Sequence, residues 1–142
     1  MKRRKQGDLI EKKMRNWFKG FPSTSWAVDF ETKTTCYEVK SCNLFNKCNN
    51  ANDKREYVNK PHKKIVTHQF GRFLIDLENH YKLQEFALSS GKKAKYIFVV
   101  VLGNQKIFKV KEWDKLKLPL LKQVNSNYYR LSIESIFSGK KV

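Results

Sequence analysis

A chain of 142 residues is the size of one domain and can bury a single core. Hydrophobic residues make up 40% and aromatic residues 13% of it, which excludes a disordered basic tail, and its longest apolar run, Ile97 to Leu102, falls far short of the roughly 20 residues a membrane helix needs. Lysine and arginine total 30 against 13 acidic residues, a formal net charge of +17, and so large an excess points to a polyanionic partner.

The first residues, Met1-Lys2-Arg3-Arg4-Lys5, are basic, and no apolar signal segment follows them. A cytoplasmic protein with no membrane partner is expected. Cys36, Cys42 and Cys48 are expected to be reduced thiols. Cys42, Cys48, His62 and His68 lack the Cys-x2-Cys pair of a zinc site.

In chain order, Gly7 to Gly20 reads as a helix. Ile10, Met14, Trp17, Phe18 and Phe21 form its apolar stripe, and Lys12, Arg15, Asn16 and Lys19 lie opposite. Glu11 falls at the border of the two faces, where a half-buried carboxylate can look into a cleft. Gly20 and Pro22 are expected to end the helix. Ser25 to Glu31 and Thr34 to Ser41 each alternate and are joined closely, the pattern of an antiparallel hairpin. Trp17 and Trp26 are placed in the core by their spacing.

Asn43 to Lys64 is rich in Asn and Lys and reads as a long basic surface loop. A strand near Arg72 to Ile75 follows, then a helix over Leu77 to Ser90 with Leu77, Tyr81, Leu83, Phe86, Ala87 and Leu88 as apolar positions and Gly91 as its stop. Lys95 to Leu102 reads as a fully buried strand, Gly103-Asn104 as a turn and Lys106 to Lys111 as a returning strand. A short helical piece near Trp113 and a strand at Tyr128 to Ile133 complete the chain. The order implies α/β layers around a mixed sheet. One domain is expected, with a core over about 7–110, the basic loop at 43–64 and a C-terminal extension at 111–142.

The chemistry centres on the hairpin. Asp29 and Glu38 can point to one face of it, and Lys40, two residues beyond Glu38, projects on that face about 7 Å along the strand. Two close carboxylates bind a hard divalent cation, and Mg2+ held this way keeps waters and accepts a phosphate oxygen. Such a site acidifies a water nucleophile and neutralises phosphate charge, while Lys40 can orient that water or stabilise the developing charge. Taken alone, Glu-x-Lys on a strand is also the pattern of a surface ion pair. His62, His68 and His80 are weaker candidates for a general base.

Val28-Asp29, Glu38-Val39-Lys40-Ser41 and the first-helix Glu11 together resemble the PD-(D/E)XK nuclease superfamily, as do Arg72-Phe73-Leu74-Ile75, Leu83-x2-Phe86-Ala87 and Tyr96-Ile97-Phe98-Val99-Val100. Within it the chain is similar to archaeal Holliday-junction resolvases and small restriction-type endonucleases, over roughly residues 7–110. Val28 stands where the motif carries a proline, and Asn43 to Lys64 and the C-terminal part have no counterpart. The resemblance implies a restriction endonuclease-like core, a mixed β-sheet flanked by helices. It implies Mg2+ (with Mn2+ substituting) held by Asp29, Glu38 and the main-chain carbonyl of Val39, Lys40 beside the attacking water, and Glu11 in the outer site. Gln69 resembles a later glutamine of exonuclease-like members, although Phe73 replaces the tyrosine expected four residues beyond it.

The expectation is therefore a metal-dependent endonuclease on duplex or branched DNA, acting as a homodimer so that one site per chain makes a double cut. Lys12, Arg15, Lys19, Lys47, Lys54, Arg55 and Arg72 are its expected DNA contacts. The alternative is a basic nucleic-acid-binding protein without catalysis, and the two separate on whether Glu11, Asp29, Glu38 and Lys40 converge in one cleft.

Overall fold

The longest apolar run of the chain becomes the middle of its main sheet. The computed structural model describes residues 2–47, 68–116 and 127–137. Its elements are helix α1 (Lys2–Trp17), strands β1 (Phe21–Pro22), β2 (Phe30–Glu31), β3 (Thr35–Asn43), β4 (Phe45–Lys47), β5 (His68–Phe70) and β6 (Arg72–Asp76), helix α2 (Leu77–Ser89), strands β7 (Lys93–Leu102) and β8 (Gln105–Glu112), a 3-10 turn (Trp113–Lys115), strand β9 (Tyr128–Ser132) and helix α3 (Ile133–Phe137). Five strands form a mixed sheet in the order β1-β2-β3-β7-β8, in which β3 and β7 run parallel and the other neighbours antiparallel. β4 pairs with β5, and β6 with β9, as two separate ribbons.

Both faces of β7 are covered, which is why its sequence is nearly continuous in apolar residues and does not alternate. Tyr96, Phe98 and Val100 enter one core with Phe73 and Ile75 of β6, Leu83 and Ala87 of α2, Leu131 of β9 and Ile136 of α3. Ile97, Val99 and Val101 enter the opposite core with Ile10 and Met14 of α1, Phe30 and Tyr37. The sheet is thus flanked by α1 on one face and by α2 with the β6–β9 ribbon on the other. Leu116, Leu131 and Ile136 pack into the first core, so described parts of 111–142 contribute to the body of the fold. Asp76 caps α2, its carboxylate accepting from the Glu78 and Asn79 amides. No helix among the described residues is long and apolar enough to cross a membrane.

Several elements differ from expectation, each for a local reason. α1 starts before Gly7 and ends at Trp17. Lys19, not Gly20, takes the left-handed conformation (φ 56°), and the Lys19 and Gly20 amides close the helix on the Asn16 and Arg15 carbonyls. Gly20 is required for another reason: a Cβ there would run into the Phe30 ring. With the helix ended, Trp17 is left 67% exposed against the edge of Phe108, and Phe21 belongs to β1. The strand expected over Ser25 to Glu31 shrinks to Phe30–Glu31, because the Ser23 and Ser25 hydroxyls accept from the Ser25 and Ala27 amides and bend the chain. Trp26 is consequently 69% exposed instead of buried. On α2, Tyr81 and Leu88 face solvent while Asn79 and His80 are buried. The expected basic loop begins later than Asn43, which closes β3; β4 follows, and residues 48–64 lie outside the described residues.

Gly71 joins β5 to β6 where the two chain paths cross. Its amide donates to the Leu44 carbonyl at 2.9 Å, and a Cβ would overlap the Asn43 carbonyl. This close approach holds β6 against the end of β3.

At the opposite end of the sheet, Glu31 is buried with Lys92, Nζ to Oε1 2.6 Å, and accepts from the Ser23 hydroxyl at 2.6 Å. Burial pushes the Glu31 carboxyl up, but the Lys92 and Ser23 hydrogen bonds outweigh it and hold the group below its usual 4.5. A lowered carboxylate contributes stability that is present above the ordinary value and lost as pH falls through the folded value. Glu31→Gln leaves the half-buried Lys92 without its counter-charge and is expected to destabilise the fold by about 2 kcal/mol at pH 7. In urea titrations the gap from wild type should narrow at pH 3; an equal gap at both pH values would contradict the ion-pair assignment.

Candidate active site

The site begins where β2 stops. β2 pairs with β3 through Phe30↔Tyr37 and Glu31↔Cys36, and one further step of that register sets Asp29 across from Glu38. The Asp29 amide donates to the Tyr37 carbonyl at 2.8 Å. The Val39 amide, with no strand left to pair with on that side, donates to Asp29 Oδ2 at 2.7 Å. A carboxylate thus takes the place of a ladder partner in the plane of the sheet. The amide and carbonyl of one strand residue point to the same side, so the Val39 carbonyl is also directed towards Asp29.

Glu38 is buried on the face of β3 that turns towards α2, and Lys40 Nζ lies 3.2 Å from its Oε2. The Glu38 and Asp29 carboxyls are within hydrogen-bonding reach of each other. Burial, then the charge of Asp29, pushes Glu38 far above the usual carboxylate range against the opposing Lys40. Burial also raises Asp29, although the Val39 amide and Lys40 favour its charged form. From the other face, α1 brings up Glu11 and Asp8. Burial, followed by the charges of Asp29 and Asp8, pushes Glu11 up to about 7, opposed by Arg15. Asp29 in the sheet plane therefore joins carboxylates from both faces into one electrostatic cluster.

Tyr96 lies beside Glu38 in the β3–β7 register, and its hydroxyl meets His80 Nδ1 at 2.8 Å. Burial and the charges of Glu38, Asp76 and Asp29 suppress its ionisation. His80 is stacked on Trp113 at 4.3 Å between centroids, and burial pulls its pKa down to about 4. It packs behind the acids between Tyr96 and Trp113, and its lowered pKa makes it a weak base.

Glu11, Asp29, Glu38 and Lys40 are thus coupled in one place. Sequence reasoning missed Asp8 and Tyr96. The Asp8–Glu11 spacing of three on a helix is a signal that finds the first; Tyr96 emerges only from strand register. Of the expected nucleic-acid contacts, Lys12, Lys19 and Arg72 are exposed and Arg15 is half-buried beside Glu11. Lys47, His68 and Gln69 belong to the β4–β5 ribbon, while Cys48, Lys54, Arg55 and His62 lie outside the described residues. Cys36 and Cys42 are free thiols.

Among the described residues no three His, Cys, Asp or Glu side chains are gathered as a metal cage. The donor set nevertheless fits a hard cation of the magnesium type, which typically takes one or two carboxylates and keeps its waters. Burial raises both carboxyls and the charge of Asp29 raises Glu38 further, so a proton or a cation between them relieves the pair. Comparison with protein-family models, with curated proteins and with solved structures finds no match to this chain.

The raised carboxyls have a definite sign for stability. A carboxyl whose folded pKa exceeds its unfolded value favours the fold while protonated, and that contribution is lost as pH rises from about 4.5 through the folded value. Glu38→Gln is therefore expected to raise the melting temperature at pH 8 in chelator by roughly 4 °C. Mg2+ should raise it for the wild type and not for the variant. Calorimetry showing a wild type indifferent to Mg2+ and a destabilised variant would refute the assignment.

Proposed function

We propose that the chain is a divalent-cation-dependent nuclease hydrolysing phosphodiester bonds of DNA, built on a restriction endonuclease-like core. The observation that carries this reading is the pairing of a half-buried Asp29, fixed by the Val39 amide, with the buried Glu38, and Lys40 3.2 Å from Glu38, in a chain of net charge +17. Carboxylates repel phosphate, so a basic protein with no chemistry to perform gains nothing by burying a pair of them beside a lysine. A bridging cation turns the same pair into a phosphate site.

Asp29, Glu38 and the Val39 carbonyl would hold Mg2+, with Mn2+ as a substitute. When bound, it supplies Lewis acidity to a phosphate oxygen and lowers the pKa of a water. The chain's own groups do the rest. Asp29 is fixed by the Val39 amide, so one ligand is set by the backbone. Lys40, held by Glu38, presents a cation on the same strand face, where it orients the attacking water and stabilises charge on the reacting phosphate. Glu11 and Asp8 add negative charge at the outer side of Asp29, strengthening its hold on a cation. Lys12, Lys19 and Arg72 are exposed and available to phosphates. A homodimer would bring two such sites to two strands.

Asp29→Ala and Glu38→Ala are each expected to lower Mg2+-dependent nicking of plasmid DNA by roughly a hundredfold or more. DNA affinity should stay near wild type and keep a steep salt dependence, about −0.9 in log K against log salt per phosphate contact. Normal cleavage by both variants would dismiss the site. DNA binding without cleavage by the wild type would favour the non-catalytic binder.

A further inference from the structure

A cavity of about 300 Å³ opens beside Lys40 along the last residues of β3. Gln6 of α1, Lys40, Ser41 and Asn43 of β3, and Arg72 and Leu74 of β6 line it. The Gly71 crossing described above brings β6 close enough to form its wall. A second hollow of about 320 Å³, towards Gly103, shares Gln6, Asn43 and Val101 with it. We propose that the cavity beside Lys40 receives one unpaired nucleotide next to the reacting phosphate, making a strand with an unpaired nucleotide, and not continuous duplex, the preferred substrate. The inference rests on the nuclease reading above.

Four features support it. The volume lies at the lower end of small-ligand sites, which start at about 300 Å³; it admits one nucleotide and no double helix. Its lining contains two cations, Lys40 and Arg72, and no acidic side chain, so a phosphate is attracted there without an added metal. An arginine suits this place because its planar fork can bind phosphate in two hydrogen bonds or lie flat on a base. Leu74, 49% exposed, offers an apolar surface to a base, and Gln6, Ser41 and Asn43 supply donors and acceptors for its edge.

Lys40 ties the cavity to the chemistry. It lines the cavity and lies 3.2 Å from Glu38, so a nucleotide seated there places its own phosphate beside the acid pair. A base in continuous duplex must leave its stack to enter. An unpaired base has no base pair to give up and enters at lower cost, and the cavity therefore discriminates between the two strands before any covalent bond is broken.

The test uses the full chain with deoxythymidine 3′,5′-bisphosphate as probe, bound in chelator, where no cation bridges the acid pair to phosphate. Alongside it, Mg2+-dependent cutting is compared on a continuous duplex and on the same duplex with one unpaired nucleotide. The wild type should bind the bisphosphate and cut the unpaired substrate faster. Leu74→Trp, which fills the cavity, and Arg72→Ala should each weaken bisphosphate binding and reduce the preference by at least about fivefold, the scale of losing one stacked base. Both positions are exposed, so folding should survive, with circular dichroism as the check and either variant sufficient for the test. Equal cutting of the two DNAs, or bisphosphate binding untouched by both substitutions, overturns the cavity assignment while the nuclease reading stands. Failure to cut either DNA overturns the nuclease reading and the substrate assignment with it.

Discussion

One hydrogen bond organises the acid cluster of this molecule: the Val39 amide to Asp29 Oδ2 at 2.7 Å. It exists because β2 has two residues while its neighbour β3 has nine. A longer β2 would satisfy the edge of β3 with backbone and push side chains above and below the sheet. A short one leaves an amide in the sheet plane, and an unsatisfied amide there carries a penalty that a carboxylate removes. Asp29 is then neither above nor below the sheet. Glu38 reaches it from one face and the α1 acids act on it from the other.

Such a cluster opposes folding, since burial disfavours the charged form of both carboxyls and the charge of Asp29 disfavours that of Glu38. The opposition is borne by the rigid part of the fold. β7 is buried on both faces, and its register with β3 runs unbroken from Thr35↔Lys93 to Asn43↔Val101. Glu38 and Lys40 sit inside that register, where a slip of one residue would send both to the wrong face. Tyr96, the register neighbour of Glu38, is itself held through His80 and the Trp113 stack. Behind the acids there is consequently a layer of packed rings, Tyr96, His80 and Trp113.

Legibility from sequence followed the strength of the periodic signal. Glu38 and Lys40 were placed correctly relative to each other because two-residue alternation on a long strand leaves no choice. The run Ile97 to Leu102 declared a strand buried on both faces. Trp26 was misplaced because Ser23 and Ser25 hydroxyls capture nearby amides and turn an alternating sequence into a bend; tertiary position then decides exposure. Trp17 was misplaced because the stripe was extended past a helix end that a lysine in the left-handed region makes. Asp8 lies three residues from Glu11 within the helix as read from sequence, but nothing in the periodic pattern says that this side of α1 acts on Asp29. The in-plane role of Asp29 had no sequence signal, since it depends on where β2 ends and not on which residue types compose it.

The charge distribution ties site and surface together. Thirteen acidic residues against 30 basic ones is a composition in which any acid near the phosphate path is conspicuous. Glu31 is balanced by Lys92 and serves the fold. Asp8, Glu11, Asp29 and Glu38 are drawn together with Lys40 as the cation touching a member of the cluster, among the described residues. Lys40 beside Glu38 and Arg15 beside Glu11 are two cations against four carboxyls, so the cluster keeps an excess of acidic groups. On the nuclease reading proposed above, a pair of acids is a place for a divalent cation and not for a bare phosphate, whereas the neighbouring cavity, lined by Lys40 and Arg72 and by no acid, suits the phosphate itself; Lys40, in contact with Glu38 and at the cavity wall, is where the two meet.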